Sequence, residues 1–290
     1  MKHFSNDAVL IGLGLKNQHA DQILQSDSNL PDFFEVHAEN YFNSGGLNHA
    51  VLKRIAENSR LSVHGTGLGL GNHCGIEDSH LENFKRVIDE YKPLLVSEHL
   101  CFTQAVINGK RIHTGDLLPL VRNNAALNIC INNIDKVQNA IGRTILVENI
   151  CHYLELDGHE FEETEFLNEI CRLSGCQLLV DINNVYVNGT NFSQQGGLQF
   201  ARHWLSQINP RYIGQYHVAG SSDSTVNGLV VDDHGSQVQE DVWALLRYAG
   251  QHHGLAPTLI EWDTQVPDWP VFALEAIKAR QLLNGLVRHD

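Results

Sequence analysis

Residues 177–184 read QLLVDINN, a short apolar run that ends at Asp181 and is followed by two asparagines. Short runs rich in Val, Ile and Leu are typical of strands buried on both faces, as in a parallel sheet. Similar runs recur along the whole chain. The eight predicted strands are residues 8–15, 33–37, 60–64, 94–99, 144–148, 177–181, 212–217 and 258–261.

Between these strands lie stretches with the periodicity of amphipathic helices. They include residues 80–91, 123–140, 165–173, 198–207, 238–250 and 271–286. Eight strands alternating with helices over 290 residues predict an α/β fold, a single closed (β/α)₈ TIM barrel. No linker-like segment divides the chain, so we expect residues 1–290 to form one domain. The longest segments predicted to be irregular, 101–118 and 221–236, follow the fourth and seventh strands, where barrels carry active-site loops.

The composition narrows the classes of partner. Hydrophobic residues make up 42% of the chain, which excludes a disordered protein. A net charge of −14 argues against nucleic acid or an anionic membrane as partner, because an acidic surface repels phosphate groups. Residues 1–7 precede only a short apolar run, too brief for a signal peptide or a membrane span. The six cysteines contain no CxxC pair, so we expect a cytoplasmic protein with reduced thiols.

Histidine is unusually abundant, with 17 residues, and it is the commonest ligand of borderline metal ions. We expect five of these histidines to lie at the surface, namely His49, His73, His80, His252 and His289. Many of the others stand at strand ends, together with carboxylates. The relevant segments are EVHAEN (residues 35–40), SVHG (62–65), SEH (97–99), VEN (147–149), VDINN (180–184), YHVAG (216–220) and IEWD (260–263).

These strand ends predict a metal centre. The active sites of barrels lie at the carboxyl ends of the strands, and alternation along each strand directs one polar residue toward the barrel axis. Buried carboxylates and imidazoles that converge need a compensating charge, which a cation supplies. The loop sequence DDHG (residues 232–235) adds Asp232 and His234, which point the same way in an extended segment and can chelate one ion.

The ligand types restrict the metal. Imidazoles and carboxylates without thiolates suit iron, manganese or zinc better than a structural zinc site or an all-oxygen calcium site. The candidates are too numerous for one ion, and carboxylates can bridge neighbouring ions. We therefore expect two or three ions.

The same residues carry a resemblance that runs over almost the whole chain. Ten segments occur in order: GLGL, EVHAENY, SVHG, VSEHL, DLLPL, LVENICHYL, LLVDINNVYVN, YHVAG, VDDHG and PTLIEWD. This set resembles the multinuclear non-haem iron-dependent oxidative enzymes, catalogued as domain of unknown function 692 or UPF0276 and related to the iron oxidase of methanobactin biosynthesis. The resemblance implies a barrel of the xylose isomerase and endonuclease IV type with two or three iron ions of mixed Fe(II)/Fe(III) state. It also implies O₂-dependent oxidation of cysteines in a ribosomally made precursor peptide, presented by a small partner protein.

The resemblance also implies a ligand set. The first iron would be held by His64, His99 and Glu148, the second by Glu148, Asp181, His217 and Glu261, and the third by Asn184, Asp232 and His234. Strict strand alternation from Asp181 favours Asn183 over Asn184, and this choice stays open. Asp263, Glu39 and His37 are candidates for orienting the ligands or for moving protons. Many relatives carry a histidine where Ser221 stands here.

Two other functions remain open. The ligand order also resembles zinc-dependent endonuclease IV, in which a histidine takes the place of Asn184, but the charge of −14 argues against DNA cleavage. More generally, divalent ions in such a barrel could serve a hydrolase or an isomerase. The other open function is that of a non-catalytic protein that stores or senses metal.

Overall fold

The computed structural model describes residues 9–26, 31–221 and 225–286. Eight parallel strands close into a barrel in the spatial order β1-β12-β9-β8-β7-β4-β3-β2. Their bounds are β1 Ile11–Gly14, β2 Phe33–His37, β3 Arg60–Gly65, β4 Leu95–His99, β7 Leu146–Glu148, β8 Gln177–Asp181, β9 Ile213–Val218 and β12 Thr258–Ile260. The predicted barrel is confirmed, and each strand lies within a few residues of its predicted position. The first residue of the predicted strand 8–15 lies outside the described ranges.

Helices surround the barrel. They are α1 Ala20–Gln25, α2 Gly46–Ala56, α3 Asp78–Tyr91, α4 Asn124–Ile141, α5 Glu163–Ser174, α6 Ile182–Phe192, α7 Gly197–Gln207, α8 Glu240–His252 and α9 Trp269–Asn284, with 3₁₀ turns at Asn17–His19, Ala38–Tyr41 and Pro210–Tyr212. All six predicted helices are confirmed, whereas α1, α2 and α6 were not predicted. None of the helices in the described ranges has the length and apolar content needed to cross a membrane.

Two β-hairpins replace parts of the segments predicted to be irregular. Strand β5 (Phe102–Ile107) pairs with β6 (Lys110–Leu118), and β10 (Thr225–Val226) pairs with β11 (Leu229–Val230). The prediction was wrong here because it overlooked two Asn-Gly pairs. Asn108-Gly109 and Asn227-Gly228 all have positive φ, as the tight turn of a hairpin requires.

The apolar core lies between the strands and the helices, whereas the barrel axis is polar. Outward-facing residues such as Phe34, Val63 and Val180 are fully buried against the helices. Near the axis, Glu35 Oε2 accepts hydrogen bonds from Ser62 Oγ (2.8 Å) and Gln215 Nε2 (3.2 Å). These buried polar groups lie inside the barrel, directly below the residues at the strand ends.

The prediction of surface histidines was wrong for His49. Its side chain is buried, with Nδ1 2.7 Å from the Tyr91 hydroxyl and Nε2 2.7 Å from the carbonyl oxygen of Asn43. A histidine on an amphipathic helix can face inward when both ring nitrogens find partners. His80 is half-buried, and His289 lies outside the described residues.

Candidate metal centre

The first group of candidate ligands stands on three neighbouring barrel strands. Glu148 Oε2 lies 3.2 Å from His64 Nε2 and 3.3 Å from His99 Nε2. The two Nε2 atoms are themselves 3.3 Å apart. The register of the sheet produces this meeting, since His99 on β4 pairs directly with Glu148 on β7.

The second group shares Glu148 with the first. His217 Nδ1 lies 3.5 Å from Glu148 Oε1 and 3.3 Å from Glu261 Oε2, and one carboxylate oxygen of Asp181 completes a cluster with all ligand atoms within 4.8 Å of one another. Glu148 thus presents Oε2 to one group and Oε1 to the other. All four side chains are buried.

The loop after β11 supplies a third group. His234 Nε2 lies 2.9 Å from Asp232 Oδ1, while His234 Nδ1 lies 2.9 Å from Asp263 Oδ2 and 3.5 Å from Glu261 Oε2. His234, Glu261 and Asp263 also satisfy the geometry of a cation-binding cluster. The structure therefore places Asp263 closer to this group than the sequence indicated.

The two asparagines after Asp181 have different surroundings. Asn183 donates from Nδ2 to Asp232 Oδ1 (2.6 Å) and accepts at Oδ1 from Ser221 Oγ (3.4 Å), so both ends of its amide are engaged. Asn184 donates from Nδ2 to the carbonyl oxygen of Asn149 (3.0 Å), but its buried Oδ1 has no hydrogen-bond partner among the described residues. Strand alternation does not apply beyond Asp181, because α6 begins at Ile182.

Several buried ligand atoms lack hydrogen bonds within the described part of the chain. They are Glu148 Oε2, Asp181 Oδ2, Asn184 Oδ1, His217 Nδ1 and His234 Nε2. Some of these atoms lie within hydrogen-bonding distance of a neighbour, but the angles do not allow a hydrogen bond. A buried polar atom without a partner costs about 1–3 kcal/mol. Oxygen and nitrogen donors aimed at shared points fit the coordination of cations.

The pKa values of the clustered residues also indicate a need for positive charge. Burial raises the pKa of Asp181 well above its usual value, and the neighbouring Glu148 and Glu261 raise it further. Burial opposes a charge on His99, but Glu148 and Glu98 outweigh it and raise its pKa to about 9. The pKa of His64 is lowered instead, by burial and by the adjacent His99. Without cations, protons compensate part of the carboxylate charge.

Charge compensation by basic residues is scarce here. Within the described ranges, no Lys or Arg forms an ion pair with Glu35, Glu98, Glu148, Asp181 or Glu261. Lys16 pairs only with Asp263, at the edge of the cluster. So many buried carboxylates without basic partners are costly unless bound cations compensate their charge.

The second nitrogen of each imidazole is anchored. His64 Nδ1 contacts Ser97 Oγ (2.7 Å), and His99 Nδ1 contacts the carbonyl oxygen of Gly65 (3.2 Å). His217 Nε2 lies 3.3 Å from Glu35 Oε1. Such contacts fix ring orientation and tautomer in metal sites. Sequence reasoning missed Ser97 and Glu35, although each lies two residues before a histidine on the same strand face.

The remaining two candidates differ in position. Glu39 Oε1 accepts hydrogen bonds from the backbone of Thr66 (3.0 Å) and lies 3.1 Å from His80 Nε2, so it holds the glycine-rich loop after β3 rather than the ligand groups. His37 is half-buried, and its ring centroid lies 5.7 Å from that of His64.

A cavity of about 550 Å³ opens beside the ligand groups. Its lining includes Glu35, His37, Glu261 and Asp263. The amide side chains of Asn17, Gln18, Asn40 and Asn48 also line it. The mouth of the barrel therefore has room for a ligand of the size of a short peptide segment.

Comparison with known proteins identifies the family. A family model described as "RiPP precursor modification enzyme MbnB/TglH/ChrH" matches residues 10–284, RiPP being a ribosomally synthesised and post-translationally modified peptide. A UPF0276 protein of Chromobacterium violaceum is 39% identical over 274 residues, which cover 94% of this chain and 95% of that relative.

Solved structures show the fold alone. A xylose isomerase-like TIM barrel protein from Mycobacterium smegmatis, solved with magnesium, has a TM-score of 0.62 and 13% identity, covering 99% of this chain and 100% of that one. Endonuclease IV from Thermus thermophilus has a TM-score of 0.56 and 15% identity, covering 95% and 99%. The predicted barrel type and the predicted family are both confirmed. The chain belongs to the MbnB/TglH/ChrH family of RiPP precursor modification enzymes.

Proposed function

We propose that the protein binds two or three iron ions and uses O₂ to oxidise a cysteine of a ribosomally made precursor peptide, which a small partner protein presents. The observation that carries the proposal is the convergence of buried, unbonded imidazole and carboxylate atoms at the barrel mouth. The family supplies the peptide as substrate class. The charge of −14 supports a peptide rather than a nucleic acid.

The proposed ligands follow the first two groups and, for the third ion, combine Asp232 and His234 of the loop group with Asn184. His64, His99 and Glu148 hold the first ion, Glu148, Asp181, His217 and Glu261 the second, and Asn184, Asp232 and His234 the third. Glu148 would serve both of the first two ions, since its Oε2 faces the first group and its Oε1 the second. Asn184 is preferred to Asn183 because only its amide oxygen is left unbonded.

The donor set supports iron in mixed Fe(II)/Fe(III) states, and zinc or manganese share the same preferences. Bound iron would supply the one-electron and O₂ chemistry that protein side chains lack. The second group has three carboxylates, whereas the first has two imidazoles and the shared Glu148. The carboxylate-rich group therefore suits the more highly charged ion.

The residues of the cavity would receive the peptide. Asn40 and Asn48 have exposed amides that suit hydrogen bonds to an extended peptide backbone. His37 lines the cavity and makes no hydrogen bond recorded among the described residues, so its imidazole is available to accept the proton of the cysteine thiol. The cysteine side chain would thus enter beside Glu261 and Asp263.

The proposal is tested on anaerobically purified protein loaded with iron, together with a candidate cysteine-containing precursor peptide and a candidate small partner protein. We expect O₂ uptake and a change in peptide mass that both require iron. The same peptide with its cysteine replaced by serine is the control. Mössbauer spectra of the loaded protein count the ions and their oxidation states.

The same experiment separates the alternatives. The likeness to a magnesium-bound xylose isomerase-like barrel and to endonuclease IV supports, as second candidate, a hydrolase or isomerase that uses divalent ions. Turnover with zinc or manganese and without O₂ would favour that candidate. Tight metal binding without turnover would favour a metal-storing or metal-sensing protein.

A further inference from the structure

The loop that carries Asp232 and His234 has a strained backbone. His234 has φ +45°, in the left-handed region that residues with a Cβ seldom occupy. Such a conformation costs about 1–3 kcal/mol and persists only where surrounding contacts impose it. Unlike the ligands on barrel strands, this loop must therefore be held by contacts outside the barrel ladder.

One of those contacts comes from Asn191, near the end of α6. Its Nδ2 donates to the carbonyl oxygen of Val230 (3.0 Å), and its Oδ1 accepts from the backbone N–H of Val230 (2.8 Å). This two-point contact fixes both polar backbone groups of one residue. Val230 stands only two residues before Asp232, so the contact determines where the ligand-bearing part of the loop begins.

The same helix holds a second segment in the same manner. Asn188 donates to the carbonyl oxygen of Ile150 (3.0 Å) and accepts from the backbone N–H of His152 (2.9 Å). Tyr153, next along that segment, accepts the backbone N–H of Asp232 at its hydroxyl (2.9 Å). Residues 184, 188 and 191 are spaced to share one face of a helix. One helix face thus fixes both segments that meet at the third group.

We infer that Asn191 is a positioning residue for the third ion: it fixes Val230 and so holds Asp232 and His234 in place at the mouth of the barrel. The inference rests on the third ion of the proposed function. It assigns to Asn191 no contact with the ion or the peptide. Loss of its side chain should therefore weaken the binding of the third ion and leave the two strand-bound ions in place.

The chain offers a matched control. Asn168 on α5 makes the same kind of two-point contact, donating to the carbonyl oxygen of Gln207 (2.9 Å) and accepting from the backbone N–H of Asn209 (3.0 Å). That contact lies before β9, at the opposite end of the barrel from the ligands. Asn168→Ala and Asn191→Ala therefore remove equivalent hydrogen bonds and differ in location.

The experiment is an anaerobic calorimetric titration of the full-length metal-free protein with Fe(II), with the bound iron counted per chain. We expect three ions in the unaltered protein and in Asn168→Ala. In Asn191→Ala the dissociation constant of the third ion should rise by about 10- to 100-fold, with the first two unchanged. Asn191→Asp keeps the acceptor and should show a smaller rise.

Three results would overturn the inference, and they differ in what else they affect. A third ion bound equally tightly in Asn191→Ala refutes the positioning role and leaves the proposed function intact. Loss of all three ions, with a lower unfolding temperature, shows a general structural role instead. An unaltered protein that binds only two ions removes the third ion from the proposed function, and the inference with it.

Discussion

The candidate ligands on the barrel strands and those on the loop after β11 are held in different ways. The backbones of His64, His99, Glu148 and His217 belong to the barrel ladder, and their side chains are at most 3% exposed except for that of His99, at 13%. Asp232 and His234 are 12% and 14% exposed and depend on contacts from α6 and from the segment after β12. The barrel itself therefore places the first two groups, whereas side-chain contacts place the third.

The largest expected effect comes from Glu148→Ala. Because Glu148 faces both strand groups, its loss should release at least two ions, measured as iron per chain after anaerobic loading. Glu90→Ala is the control, since Glu90 pairs with Lys53 (2.9 Å) near the carboxyl end of α3, where the chain leads into the start of β4 and not into a strand end that carries ligands. Loss of only one ion would refute the bridging role and show the strand groups to be independent.

Asp232→Ala should release one ion and spare the other two, because the carboxylate of Asp232 contacts His234 of the loop group and Asn183 of α6. The iron count and the Mössbauer spectrum of the remaining ions are the measurements. Full retention of iron would exclude the loop from the centre. Loss of all iron would instead abolish the distinction between strand-held and loop-held groups.

Glu35→Gln should lower the affinity for the second ion by about 10- to 100-fold, because the charged acceptor that orients His217 becomes neutral. The loop ion should be unaffected. The control is Glu163→Gln, which alters a carboxylate bonded to the indole of Trp204 (2.7 Å) and not to a candidate ligand. Equal affinities in both variants would mean that the strand ladder alone orients His217.

Acidity should also weaken the binding of the first ion. The metal-free protein holds a proton on His99, whose pKa of about 9 lies above the usual value because of Glu148 and Glu98, despite burial. Iron must displace that proton, so affinity should fall by about tenfold per pH unit below pH 9. Titrations between pH 6.5 and 8.5 in buffers of different ionisation enthalpy measure the protons released. A pH-independent affinity would contradict this assignment.

The convergence of the polar residues at the strand ends could be predicted from the sequence, and the contacts that hold the loop could not. Strands end in single polar residues such as His64 and Asp181, so the pattern itself identifies which side chains meet. Helix α6 carries Asn183, Asn184, Asn188 and Asn191, and asparagine is a poor helix former. This helix forms because Asp181 caps its first turn by accepting the backbone N–H of Asn184 (2.7 Å) and because its asparagines bind neighbouring loops.

The roles of Ser97 and Glu35 were also hidden, because hydrogen bonding between adjacent strands depends on register. Ser97 lies beside His64 only because β3 and β4 pair those two residues. The sequence of a single strand does not show how that strand is aligned with its neighbours. Asn183 and Asn184 posed a related problem, since their directions depend on where the strand stops and the helix starts.

The start of α6 directly after Asp181 has a consequence for how this family can diverge. Each residue added within an α-helix rotates everything beyond it by about 100° around the axis. A single insertion between Asn184 and Asn191 would therefore turn the distal amides away from both loops while leaving the barrel whole. We expect length variation among relatives to be absent from this helix and frequent at the β5–β6 turn, where Val106 and Ile107 are each 54% exposed.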